Sequence, residues 1–267
     1  MHARAASVPL VLASFLCLGG ACPPTFDPIG RIDPMTLPED GLECLRLADD
    51  WSQPGTPREK KLDALVALDR AADLGADRYV GAVIRARVYF RLSEENEADE
   101  AAERWLAAGV EAARAAIAER EDRVEGHYYL AALLGRQAER TAVGALDMIP
   151  EILAEAERAL ELDRTFDRCG PVLAVGMLYI AAPPWPQSIG DPELGIEYLR
   201  EAVACSDYPT SLIMLADALL EQGELEEAKE LAREALSRPA VGDWAIEGNR
   251  WRPVAREILE RAEHPGE

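Results

Sequence analysis

Chemistry in this 267-residue chain would have to come from a short roster of five cysteines, three histidines and a few aromatic residues in distinctive company. His127, Tyr128 and Tyr129 stand in a row, Tyr179 follows further along, and Trp185 sits between Pro184 and Pro186. Tyr128, Tyr129 and Tyr179 could line a groove in which their hydroxyls orient a small organic acid or an apolar ligand. At helical spacing the same rings could equally be packing residues. Trp185, in a proline-bracketed insertion, is either an aromatic anchor for a partner or a plug for the gap beside its own repeat. His127 has no metal or triad partner visible around it, and beside two tyrosines it reads as a partly buried hydrogen-bonding residue. No His-Glu-x-x-His, Gly-x-Ser-x-Gly, phosphate-cradling glycine loop or calcium loop of alternating aspartates occurs. The sequence thus predicts binding rather than catalysis, with no catalytic residue, no metal and no cofactor.

The cysteines point to a compartment. One cation, Arg4, precedes an apolar stretch at 5–17 that is too short for a permanent membrane helix, and Gly19, Gly20 and Ala21 follow. Residues 1–21 read as a signal peptide. The run Leu18-Gly19-Gly20-Ala21-Cys22 resembles a bacterial lipobox with its leucine one place further from the cysteine than usual, so Cys22 is the expected lipidation site. Ordinary cleavage after Ala21 is the alternative. A diacyl thioether, usually with a third chain on the new amino group, exceeds the two-chain requirement for stable anchoring. Residues 22–40, rich in Pro and Gly at their start, would serve as a flexible linker from the lipid. Position 23 is proline, not the aspartate of inner-membrane retention, which leans toward the periplasmic side of the outer membrane. With Cys22 lipidated, Cys44, Cys169 and Cys205 can form at most one internal disulfide, for which Cys169 with Cys205 is the best candidate. Three buried thiols are the other reading. Without any Cys-x-x-Cys, a zinc ribbon or a thioredoxin-type function has no support.

The elements that position these residues must be helices. The chain is 49% hydrophobic and 29% charged, enough to fold, and its 6% aromatic content and wealth of Ala, Leu, Glu and Arg favour an all-α protein. A net charge of −21, with no dense basic cluster, excludes nucleic acid as a partner.

A motif of one apolar residue, two others, alanine and a second apolar residue recurs as Leu68-x-x-Ala71-Ala72, Ala113-x-x-Ala116-Ile117, Ala156-x-x-Ala159-Leu160, Leu199-x-x-Ala202-Val203 and Ala232-x-x-Ala235-Leu236. Ala116, Ala159, Ala202 and Ala235 fall 43, 43 and 33 residues apart, the last interval being close to the ~34-residue tetratricopeptide period. Small residues at these places let antiparallel helices approach closely. The longer intervals hold insertions at 141–150 and 183–190, which in a solenoid emerge as loops on one face. Helices are predicted near 41–51, 57–74, 76–93, 98–119, 123–140, 143–162, 166–182, 191–206, 208–222, 224–238 and 248–263. The fold expected of residues 41–267 is a right-handed helical-hairpin solenoid of degenerate tetratricopeptide-like repeats, capped by its last helix.

From about 109 to 239 an ordered series of signals narrows this further. It runs Gly109-x-x-Ala112, His127-Tyr128-Tyr129-Leu130-Ala131-x-x-x-Gly135, Ala159-Leu160-Glu161-Leu162-Asp163, Gly170-Pro171, Gly176-x-Leu178-Tyr179 and Ala182-Pro183-Pro184-Trp185-Pro186-x-Ser188-x-Gly190-Asp191. In this order the chain resembles the T component associated with TRAP transporters, the TatT-type family of periplasmic tetratricopeptide-like lipoproteins, although Cys169 stands where that pattern calls for glycine. The resemblance implies a membrane-anchored solenoid with a concave groove, an accessory of TRAP-type solute transport that associates with the solute-binding protein and self-associates as a homotrimer. An envelope scaffold of the same fold, without a transport role, is the competing expectation.

Overall fold

The computed structural model describes residues 32–95, 100–141 and 144–264, and Cys22 with its lipobox lies outside them. Among these residues are eleven α-helices: α1 Gly41–Trp51, α2 Arg58–Asp73, α3 Arg78–Glu95, α4 Glu100–Glu119, α5 Val124–Arg140, α6 Ala145–Leu162, α7 Phe166–Ala181, α8 Pro192–Cys205, α9 Pro209–Glu221, α10 Leu225–Ser237 and α11 Trp244–Glu263. No strand occurs among them beyond an isolated bridge between Pro184 and Gly190.

Local chemistry sets the helix ends. The Asp40 carboxylate accepts from the backbone amides of Leu42 and Glu43 at the start of α1, and Asp191 accepts from Leu194 with Pro192 at the first position of α8. Both arrangements satisfy amides that a helix leaves without partners. Gly223, at φ +80, ends α9 in a conformation that strains any residue with a Cβ, and Glu224 N–H donates back to Leu219 O.

Consecutive helices pair as antiparallel hairpins, and the first helices of successive hairpins, α1, α3, α5, α7 and α9, lie side by side. The motif alanines seal the hairpins: Ala116, Ala159, Ala202, Ala232 and Ala235 are fully buried. At the α7–α8 crossing Gly176 and Gly195 face each other, and a Cβ on Gly195 would stand 3.0 Å from Gly176 O. The backbones meet there because neither residue has a side chain. Three apolar cores fill the stack, one through α1–α6, a small one between α5 and α8, and one through α8–α11. Each leucine sealed in them, such as Leu65, Leu133 or Leu219, stabilises the fold by about 2 kcal/mol.

Two features differ from the sequence expectation. The ordered body begins before position 41: Ile32 N–H donates to Asp63, Leu37 is buried, and a short 3₁₀ turn at Pro34–Thr36 joins them, so 32–40 pack on α2 instead of forming a free linker. Finally, α11 starts at Trp244, whose buried ring gives that first turn an apolar anchor.

Candidate functional site

The first helices of the hairpins face a recess of about 350 Å³. Its walls come from α3, α5, α7 and α9, and α11 and the loop between α1 and α2 close over it. Two sets of contacts make that closure. Ile246 of α11 lies against Gly55, so closely that a Cβ there would come within 2.3 Å of Ile246 Cδ1. Beside it, Arg250 donates to Glu94 at 2.9 Å and Arg91 pairs with Glu247 at 3.5 Å. Residues 156 positions apart in sequence are thus joined, and the two ends of the solenoid meet.

The most unusual backbone in the chain borders this recess. Asp167, Arg168 and Cys169 have φ values of 44°, 60° and 65°, three consecutive non-glycine residues in the left-handed region at the start of α7. Such a turn costs roughly 1–2 kcal/mol per residue and persists only where its surroundings impose it. Each residue has its own tether. Asp167 accepts a hydrogen bond from the Tyr128 hydroxyl at 3.0 Å. Arg168 pairs with Asp243 and lays its guanidinium 3.9 Å from the centre of the Tyr208 ring. Cys169 is disulfide-bonded to Cys205 of α8, the Cα atoms being 6.2 Å apart. Gly170 comes next, and a Cβ on it would be 2.7 Å from the Tyr128 ring, so glycine is what lets that ring lie over α7.

Charge on the wall is paired throughout. Lys61, almost fully buried, donates to Thr56 O and to Glu95, while Arg91 donates to Glu94 at 3.2 Å. Burial works against the Arg91 charge, but Glu94 and Glu247 more than offset it and raise its pKa, so it stays cationic. The Tyr208 hydroxyl donates to Glu247 at 2.6 Å. Burial, and then the neighbouring carboxylate, pushes the phenols of Tyr128 and Tyr208 above their ordinary range. They are hydrogen-bond donors at neutral pH, not bases.

The residues singled out from sequence are scattered. Tyr128 is on the wall of the recess. Tyr129 is buried behind it in a cluster with Phe90 and Phe166, and burial holds its hydroxyl up at about 12. Tyr179 stacks on Tyr198 of α8, where both rings cover the small middle core. Trp185 is 84% exposed, which sets aside the plug reading. Its loop is braced by Gly190 N–H to Pro183 O and Asp191 N–H to Tyr179 O. His127 is buried, with Nε2 facing Glu121 O and Nδ1 facing the Glu155 carboxylate, a link between α5 and α6. Cys44 is a buried thiol.

Sequence reading missed Arg91, Asp167, Arg168, Tyr208, Glu247 and Arg250. Each is one polar residue among many along the chain, and only the approach of α11 to the first hairpins brings them together. The sole local signal was Cys169 at a position where glycine is expected, and its left-handed backbone is the physical reason for that expectation. Among the described residues no group of three or more His, Cys, Asp or Glu is placed to hold a metal ion, and no helix is long and apolar enough to cross a membrane.

Comparison with known proteins places the fold. Residues 209–240 match the tetratricopeptide repeat family. The structure is similar to a thermophilic TPR protein of Thermus thermophilus, with TM-score 0.62, 17% identity, 82% of this chain and 99% of that one covered. It is also similar to pilF of Pseudomonas aeruginosa, with TM-score 0.55, 16% identity, and coverage of 85% and 93% respectively. No curated protein matches in sequence. The chain is thus a tetratricopeptide-like helical solenoid. Solenoids of this kind generally offer extended surfaces for binding proteins.

Proposed function

We propose that this protein is a lipid-anchored periplasmic adaptor, held at the outer membrane through Cys22, that acts as the T component of a TRAP-type transport system by binding its solute-binding protein. The observation that carries the protein-binding role is Trp185, almost fully exposed on a braced loop in a fold class that works by presenting surfaces. The recess, at about 350 Å³, is too small for a helix or strand of a partner. Protein docking is therefore assigned to the outer surface. The family motifs at 170–191 support the transport assignment, and the signal sequence with Cys22 supports the anchor.

Crosslinking and co-purification from native membranes test this reading. A TRAP solute-binding protein should be captured by the wild-type chain and lost on Trp185→Ala, with thermal stability unchanged, because an exposed side chain contributes within about 0.5 kcal/mol to stability. Capture of an envelope-assembly component instead would establish the scaffold reading and overturn the transport one. Labelling with radioactive palmitate should be abolished by Cys22→Ala; label retained by that variant would refute the anchor.

A further inference from the structure

The recess carries a second, independent inference. Its wall holds cations Lys61, Arg91, Arg168 and Arg250, matched in number by carboxylates Glu94, Glu95, Asp167 and Glu247. The site is thus electroneutral inside a chain of net charge −21. That balance discriminates among small molecules. A simple anion would enter against the long-range field of the protein and would draw Arg91 from its carboxylates, leaving Glu247 with the neutral Tyr208 hydroxyl as its close partner. A simple cation would do the converse to Arg91.

One pair is already loose. Arg91 is hydrogen-bonded to Glu94, yet it stands 3.5 Å from Glu247, beyond a good hydrogen bond, and Glu247 takes its close contact from the Tyr208 hydroxyl. Around them the surface is apolar, with Phe90, Leu173 and Trp251. A volume of about 350 Å³ suits a molecule at the small end of the range of ligand sites.

We infer that the recess binds a small zwitterion, a free amino acid or dipeptide with an apolar side chain, inserted between Arg91 and Glu247. The ligand carboxylate takes Arg91, its ammonium takes Glu247, and every wall charge keeps a partner. Its apolar side chain covers Phe90, Leu173 and Trp251. The binding is non-covalent and does not depend on Cys22, on a TRAP system or on any protein partner.

Calorimetric titration of the full chain with L-leucine, L-phenylalanine and L-leucyl-L-leucine tests this. Each is compared with its N-acetyl form, an anion, and its amide, a cation. At least one zwitterion should bind with Kd below about 1 mM, and either blocked form should bind at least about tenfold more weakly, a difference of 1.4 kcal/mol. The deciding variant is Glu247→Gln, which keeps an acceptor for Tyr208 and removes one negative charge. It should weaken the zwitterion and strengthen the N-acetyl anion, an exchange of preference that general damage to the fold would not produce. Arg91→Lys should weaken the zwitterion and the N-acetyl form together. An N-acetyl form that binds the wild type as well as its parent would overturn the inference, as would no heat from any of the three zwitterions. Equal binding by wild type and the Glu247→Gln variant would also overturn it.

Discussion

The hairpin of α9 and α10 and the hairpin of α7 and α8 are built from the same repeat and use it differently. In the first, Leu215, Ala216, Leu219, Ala228, Ala232 and Ala235 are buried with almost no remaining exposure, and the short turn between the helices is centred on Gly223. In the second the same alanine position persists at Ala202, but the chain departs from the repeat at both ends of α7. One end is the left-handed turn at 167–169 and the other the Trp185 loop. The regular hairpin satisfies its packing locally. The irregular one needs a disulfide and an aromatic ring from α5 to hold its backbone, and polar groups of the recess sit on the part so held. Where this protein breaks its own repeat, it positions groups that could act on something else.

Variants can separate the two. The largest effect is expected from Cys205→Ser, which leaves the left-handed turn without its covalent tether. A loop of 36 residues gives a loss of about 3–4 kcal/mol in urea unfolding relative to the oxidised wild type. The same loss should follow when dithiothreitol is added to the wild type, and an unchanged midpoint in both cases would show that the turn does not rely on the bridge. Next, Ala232→Leu in the regular hairpin should cost about 2 kcal/mol by overpacking, with no change in the recess. Gly170→Ala should cost about 1 kcal/mol by pushing the Tyr128 ring off α7, and it should also disturb ligand binding in the recess, which Ala232→Leu should not. Similar binding by these two variants would erase the distinction.

The smallest effect concerns pH. Burial raises the phenol pKa of Tyr128 and Tyr208 in the folded chain above the ordinary value of about 10. A raised folded-state pKa contributes stability that is complete below the unfolded value and disappears as pH rises through the folded one. Stability should therefore hold to about pH 10 and fall above it. Circular dichroism should show a later fall for Tyr128→Phe than for the wild type. An identical alkaline midpoint would remove Tyr128 from the account.

Most of the fold could be read from the sequence because it rests on local rules. Helix spacing gave ten of the eleven helix starts to within a few residues, since Asp40, Asp191, Pro192, Pro209 and Gly223 act on their immediate neighbours. The start of α11 was missed because no cap marks it: Asp243 makes no side-chain bond to the helix, and Trp244 is held by burial. The candidate site was far less visible. Tyr128 was identifiable as an aromatic residue in unusual company. Nothing near Arg91 in sequence distinguishes it from Arg85 or Arg87 on the same helix, because its setting depends on Glu247 arriving from the far end of the chain.

That arrival also changes how the molecule should come apart. A linear array of repeats has two free ends and can fray from either, since each unit touches only its neighbours. Here Ile246 on Gly55 and Arg250 on Glu94 tie the last helix to the first two hairpins. Loss of α11 would uncover the apolar faces of α9 and α10 and would also release the loop after α1 and Glu94 from their contacts. Hydrogen exchange at the two termini should then rise and fall together, as one cooperative unit in a fold whose repeats ordinarily open in sequence.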